Sequence, residues 1–360
     1  MKIAIIGANG FIGTRLVEQF HLGQLHEVVP IVRRPVSLAL PARFALDWRI
    51  GDALNTASLA KAVTGCDAIV HAAMGDPRQI EAMPAVLADA AARAGIKRIV
   101  YLSTASVHGQ SPAPGTDESS PLRTGHTLEY NDAKIRAERS FHDTCRRHGI
   151  AGFALRPGVV FGPRSRWITD LAADLRTGRA WLLDDGRGIC NSIYVDNLAA
   201  AVAAALAADA RHAGPYLVGD EETVTWREFY AGVATALGFD ADQIPALKNI
   251  PDFRPGTAAR LQSLAATPAV QSVLPLVPGL AKRTVKNLLV AAQLPASVDA
   301  WTLPSAPGPR ITQELVLLQQ CRVKLPHAAA ARALQYRAPV PFATGLARSL
   351  AWLAFAEGRS

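Results

Sequence analysis

The stretch Ile3-Ala4-Ile5-Ile6-Gly7-Ala8-Asn9-Gly10-Phe11-Ile12-Gly13 decides how the first half of this chain folds. Ile3 to Ile6 is an unbroken apolar run, the pattern of a short strand buried on both faces. Residues 11–22 follow with helical spacing. Three glycines lie at the junction, and each answers a different need. Gly7 permits the sharp turn out of the strand, Gly10 lets backbone approach a pyrophosphate, and Gly13 lets the helix pack closely on the strand. Amides at the start of that helix then point at negative charge. Asn9, Phe11 and Ile12 complete the loop as candidate dinucleotide contacts. The alternative is a glycine-rich turn with no ligand, but the strand–loop–helix context favours the binding site.

Working outward, strand-like runs recur at 28–32, 48–51, 68–73, 99–103 and 152–155. Helical patterns lie between them at 54–63, 84–94 and 130–148. Repeated strand–helix units predict an α/β fold with a Rossmann-type, doubly wound parallel sheet. After Arg156 the pattern loosens. Prolines and glycines punctuate residues 157–188, and an Ala-rich helix is expected over 196–208. Thr225-Trp226-Arg227-Glu228 reads as a capping box opening a helix that runs to about Leu237. Val270 to Leu294 mixes Leu and Val with Lys282, Arg283 and Lys286, as either a basic amphipathic lid or irregular substrate-domain packing. Phe342, Leu346, Leu350 and Leu353 have helical spacing and are expected to dock on the body. The expected organisation is an NAD(P)-binding domain over 1–160, with return elements around 189–210. Residues 161–360 then form mainly a smaller C-terminal substrate-binding lobe with C-terminal helices.

The end of the second strand bears on the cofactor. An acidic residue there would bind a ribose diol. The chain instead has Arg33 and Arg34, whose guanidiniums suit a ribose phosphate, so NADP is expected over NAD. Asp52, after Gly51, suits the adenine amino group or a cap on the next helix. Tyr130 and Lys134 are four apart on a helix and so share a face. An ammonium beside a phenol favours the phenolate and makes Tyr130 a usable base. Ser103, Thr104 and Ser106 end the fifth strand at the carboxyl edge, where open α/β sheets bind ligands. One of these hydroxyls is expected to hold the substrate oxygen.

These pieces together resemble the extended short-chain dehydrogenase/reductases, the NAD(P)-dependent epimerase/dehydratase family. The resemblance runs through the glycine loop, Gly51-Asp52, residues 65–73 and 101–109, Tyr130-Asn131-Asp132-Ala133-Lys134, and Arg156 to Pro163. It continues through Ile193 to Ala199 and covers residues 1 to about 240. It implies Thr104, Tyr130 and Lys134 as the catalytic set, with Ser103 and Ser106 as runners-up. It places Ala72 and Ala73 near the nicotinamide ribose, and Pro157 to Val160 near the nicotinamide ring. His108 stands where many members carry Tyr. Ala105 and Ser106 stand where sugar-nucleotide dehydratases carry an acidic pair, which disfavours water elimination. The implied activity is hydride transfer at a secondary alcohol or ketone carbon, as reductase or epimerase. A nucleotide-sugar is the first substrate expected, and a hydroxysteroid-like or other apolar alcohol is the alternative. The apolar 250–300 segment would then act as a lid. An NADP-binding sensor is the non-enzyme alternative. A homodimer is the candidate assembly.

Composition sets the remaining bounds. The 360 residues are 49% hydrophobic and 19% charged, a globular balance. The net charge of +8 is scattered, with no dense basic block, so no nucleic-acid partner is expected. The four cysteines are far apart and form no Cys-x-x-Cys, which suits reduced thiols in the cytoplasm. The longest apolar run, Leu198 to Ala208, falls well short of the roughly 20 residues of a membrane span. No metal is expected: the histidines are dispersed, and Asp184-Asp185 reads as a solvated turn before Gly186. Arg164, Arg166 and Arg187 are candidates for meeting an anionic substrate.

Overall fold

A computed structural model describes residues 1–38, 41–248, 253 and 308–358. The segments expected over 270–294 and 250–300 lie outside the described residues. Residues 1–247 and 310–360 form one compact unit. Its centre is a seven-stranded sheet with every neighbouring pair parallel. The strands are β1 (Lys2–Ile6), β2 (Glu27–Val32), β3 (Arg49–Ile50), β4 (Ala68–His71), β5 (Arg98–Leu102) and β6 (Ala151–Pro157). Short strands β7 (Val159–Phe161), β8 (Leu182–Leu183), β9 (Ile189–Cys190) and β10 (Ser192–Tyr194) precede β11 (Pro215–Val218), the seventh member of the sheet. The spatial order β11-β6-β5-β4-β1-β2-β3 reverses direction beside β1. That is the doubly wound order of dinucleotide-binding folds, with its crevice at the switch point.

The apolar runs alternate between two cores, which is why no polar residue interrupts them. Ile3 and Ile5 of β1 face one core with Leu16, Val17 and Phe20 of α1 (Phe11–Leu22). Ala4 and Ile6 face the other with Leu59 and Val63 of α2 (Thr56–Val63) and Leu87 of α3 (Pro77–Arg93). Helix α3 starts seven residues before the 84–94 expected from the sequence. Asp76 caps it by accepting from the Gln79 amide at 3.0 Å, and Pro77 occupies its first turn. Pro84 lies inside the helix, not at its start. It removes one backbone donor, but Ile80, Met83, Pro84 and Leu87 are all buried, so packing carries the helix through. The long helix α4 (Glu129–Arg147) covers the same face.

A third core joins α5 (Arg166–Arg176), α6 (Val195–Ala207) and α7 (Trp226–Ala236) to the C-terminal segment. Thr225, on β12 (Val224–Thr225), makes both bonds of the expected capping box with Glu228. After the short β13 (Ala246–Leu247), the described chain continues with α8 (Gln313–Gln319), α9 (Ala328–Leu334) and α10 (Phe342–Ala356). Leu346 and Leu353 of α10 are buried, as the helical spacing implied. Buried Asp220 ties these parts together. It accepts from the Tyr194 amide at 2.9 Å and from Asn197 Nδ2 at 2.7 Å. Asn197 in turn donates to Val340 O at 2.8 Å and accepts from Val340 N at 2.9 Å. Helix α8 is pinned by Trp181 Nε1 donating to Arg310 O at 2.9 Å and Trp226 Nε1 donating to Leu318 O at 3.1 Å. No helix among the described residues is long and apolar enough to cross a membrane.

Candidate active site

The glycine loop lies at the carboxyl end of β1, in the crevice. Gly7 has φ +81°, the left-handed region that favours glycine. Its amide and that of Ala8 donate to Ile31 O at 3.2 and 3.3 Å, which fixes the loop against β2. A Cβ on Gly13 would stand 2.1 Å from Gly7 O, so only glycine permits α1 to sit this close. Gly10 caps α1 without any side-chain hydrogen bond, and the first turn contains no acid. The helix therefore presents free amides, an arrangement that fits a pyrophosphate. Asn9 and Gly10 are exposed beside it. Phe11, Ile12, Ala72 and Ala73 line the adjoining cavity.

Arg33 and Arg34 leave the end of β2 exposed. Among the described residues no hydrogen bond or ion pair occupies either guanidinium. Asp52 accepts from the Leu54 amide at 3.0 Å, while Asn55 is the residue that caps α2. Neither the two arginines nor Asp52 lines the cavity.

The cavity has a volume of about 890 Å³ and gathers the candidate proton-handling residues. Thr104, Ser106, Tyr130, Lys134 and Pro157 to Val160 all line it. Thr104 is buried at the tip of β5, and its hydroxyl accepts from the Ser106 amide at 3.2 Å. Tyr130 is in the first turn of α4, with Lys134 one turn later. Burial pushes the Tyr130 phenol up to about 12, against a pull downward from a hydrogen bond with Thr104. The Lys134 ammonium lies 6.0 Å from the centre of the Tyr130 ring and donates to Leu102 O at 3.2 Å. Burial lowers it to about 8, and the charge of Glu138 opposes that fall.

Ser103 also lines the cavity, but its hydroxyl is engaged elsewhere. Its hydroxyl donates to Glu138, which forms a buried ion pair with Arg156 at 2.5 Å. Arg156 also reaches His108 Nε2 at 3.1 Å. His108 therefore belongs to the support of the site and not to its wall, and burial holds it down at about 4. The sequence signal for Glu138 was its place four residues after Lys134 on the same helical face. Ser103, named as a runner-up for the substrate oxygen, is committed to this network.

The far wall comes from residues without a sequence signal. Trp167 and Leu171 of α5, Trp226, Phe229 and Tyr230 of α7, and Leu315 and Leu318 of α8 line it. Of the three arginines considered for an anionic substrate, Arg166 lines the cavity and Arg164 and Arg187 do not. Arg166 pairs with Asp170 at 3.2 Å. Asp184 and Asp185 form an exposed turn that is ion-paired to Arg187 and Arg322.

Comparison with known proteins bears on this geometry. The model of the NAD dependent epimerase/dehydratase family matches residues 3–219. Sterol-4-alpha-carboxylate 3-dehydrogenase, decarboxylating, of Candida albicans is 29% identical over 55% of this chain, and the match spans 62% of that enzyme. The 2-alkyl-3-oxoalkanoate reductase of Stenotrophomonas maltophilia is 30% identical over 66% of this chain and 76% of its own length. Among solved structures, dTDP-glucose 4,6-dehydratase of Streptomyces venezuelae, with NAD bound, superposes with a TM-score of 0.69. That match covers 99% of this chain and 98% of the other at 21% identity, a likeness of fold.

Proposed function

Because the chain belongs to the NAD dependent epimerase/dehydratase family, we propose that it is an NADP-dependent oxidoreductase acting at the carbon of an apolar secondary alcohol or ketone. The observation that carries the substrate class is the wall opposite Tyr130, with Trp167, Leu171, Trp226, Phe229, Tyr230, Leu315 and Leu318 in one cavity. Its acids, Glu129, Asp170, Asp174 and Glu314, outnumber its bases, Lys134, Arg166 and Arg310. A nucleotide diphosphate needs surplus positive charge, and an apolar ring or chain needs only apolar area. The relatives' names, with sterol and alkyl-oxoalkanoate in them, point the same way. A nucleotide-sugar reading rests on Arg166 and Arg310. Arg166 is already paired with Asp170, and Asp174 feels the charge of Arg310.

In this reading the amides of Phe11 and Ile12 hold the pyrophosphate, and Arg33 and Arg34 take the ribose phosphate. Asp52 takes the adenine amino group. Ala72 and Ala73 pack near the ribose, and Pro157 to Val160 near the ring. The bound nicotinamide supplies or accepts the hydride. Thr104 and Tyr130 donate to the carbonyl oxygen, and Tyr130 gives it the proton during reduction. A phenol raised to about 12 stays protonated at neutral pH, ready to act as that acid. As the proton leaves, the buried charge of Lys134 favours the phenolate. The four buried, free thiols suit a reducing compartment.

The test is oxidation of NADPH and NADH against cholestanone and methyl nonyl ketone, with conversion of UDP-glucose in the presence of NADP or NAD followed separately by chromatography. NADPH-dependent turnover of a ketone is expected. Turnover of UDP-glucose with neither ketone reduced would overturn the substrate class. Preference for NADH would overturn the cofactor assignment.

A further inference from the structure

Thr104 and Tyr130 reach the same cavity from two segments that the chain joins only through the long loop 111–128. A loop of that length sets no fixed distance between its ends. Thr104 lies at the tip of β5, before a turn in which the Gly109 amide donates to Ser106 O at 2.9 Å, and Gln110 follows that turn. Tyr130 lies in the first turn of α4, whose cap residue Leu128 makes no side-chain hydrogen bond. A helix start without a capping side chain frays unless something else holds it.

The residue after Tyr130 supplies the hold. Asn131 is fully buried in that first turn, although Asn is a weak helix former. Its side chain is spent on Gln110. Gln110 Nε2 donates to Asn131 Oδ1 at 2.9 Å, and Asn131 Nδ2 donates to Gln110 Oε1 at 2.7 Å. Gln110 is 7% exposed and Asn131 0%. Among the described residues neither side-chain amide has another hydrogen-bonding partner. Asp132 accepts from the Gly125 and His126 amides at 2.8 and 3.1 Å, so it holds the loop and not the turn that follows Thr104.

We propose that the Gln110–Asn131 pair is a clasp that sets the gap between the Thr104 and Tyr130 hydroxyls, so that both reach one substrate oxygen. The two amides move no proton or hydride themselves and are positioning residues. Their role rests on the proposed function for that shared oxygen, and not on which substrate carries it. Two opposed bonds close one ring, which fixes orientation as well as distance. Opening the ring strands two buried amides at once, so the clasp is stiff. Deeper along α4, Lys134 Nζ donates to Leu102 O at 3.2 Å and Glu138 accepts from the Ser103 hydroxyl. Asn131, Lys134 and Glu138 share one helical face, so α4 is tied to the end of β5 and its turn at three levels. Only the Asn131 level adjoins Tyr130 in the first turn.

The test compares the native protein with Gln110→Met, Asn131→Leu and the double variant. Each single change leaves the partner amide buried and unpaired, and should lower the melting temperature by roughly 4 °C or more. The double variant leaves no amide unpaired and should regain most of that loss. Its turnover should not return: kcat should stay about tenfold or more below native on whichever ketone or UDP-glucose the native protein converts, with NADPH affinity within about twofold. A double variant with a native melting temperature and kcat within about twofold of native would overturn the proposal. So would a double variant as unstable as the single ones with kcat falling in step, because the pair would then hold only the fold. If the native protein converts none of these compounds, the proposed function fails separately, and hydrogen exchange tests the clasp without a substrate. Peptides spanning 103–110 and 128–134 should exchange about tenfold or more faster in the double variant than in native protein, and equal exchange would overturn the proposal.

Discussion

Lys134→Met should make the cofactor-free protein more stable at neutral pH while abolishing its activity. Lys134 is 2% exposed, and burial lowers its pKa from 10.5 to about 8. A lysine with a depressed native pKa binds protons more weakly in the folded state, so the unfolded chain carries more protons between the two values. Stability then rises with pH through that window. At pH 7 the depression of about 2.5 units costs the native state ~3 kcal/mol, an order-of-magnitude figure. Between pH 7 and pH 10 about 2.5 kcal/mol of that cost is relieved as the unfolded lysine also loses its proton. Methionine has a similar shape and no charge, but it strands Leu102 O, which loses a bond worth about 1 kcal/mol. The net expectation is a gain of about 2 kcal/mol at pH 7 that vanishes near pH 10. The assay is urea unfolding of native and variant protein, side by side, at half-unit steps from pH 6 to pH 10. A difference that does not change with pH would refute the reasoning. So would a variant less stable at pH 7 than at pH 10 relative to native.

Three other outcomes follow from the site. Glu138→Gln leaves Arg156 buried without its counter-charge and should cost about 3–5 kcal/mol in denaturant melts; a loss under about 1 kcal/mol would show that the pair is dispensable. Arg33→Ala with Arg34→Ala should weaken NADPH by roughly ten- to a hundredfold in fluorescence titrations and leave NADH nearly unchanged, because only the ribose phosphate loses its charged partners. Equal weakening of both cofactors would contradict that assignment. Tyr130→Phe should lower kcat about a hundredfold or more on any ketone reduced; near-native turnover would remove Tyr130 from the proton path.

The glycine loop, the alternation of strands and helices and the Tyr130–Lys134 spacing were legible because each is local. Period, loop chemistry and a four-residue interval all fit within one strand–helix unit. The start of α3 was misplaced because Pro84 is a breaker by local rules, and only its burial between elements shows why the helix continues. Ser103 and Thr104 look alike in sequence. Both line the cavity, and only the structure shows the Ser103 hydroxyl committed to Glu138.

The sequence by itself determined the parallel sheet, the glycine loop at its crevice and the helical face that Tyr130 and Lys134 share. Their signals are spacings of a few residues, set by covalent geometry and helical period. Only the tertiary structure decided the character of the cavity. Its far wall joins α5, α7 and α8 across separations such as Trp226 to Leu318, and such contacts leave no local pattern to read. The same holds for charge. Lys134 reads as an ordinary ammonium in the sequence and Tyr130 as an ordinary phenol. Burial, which no stretch of chain encodes alone, lowers one to about 8 and raises the other to about 12.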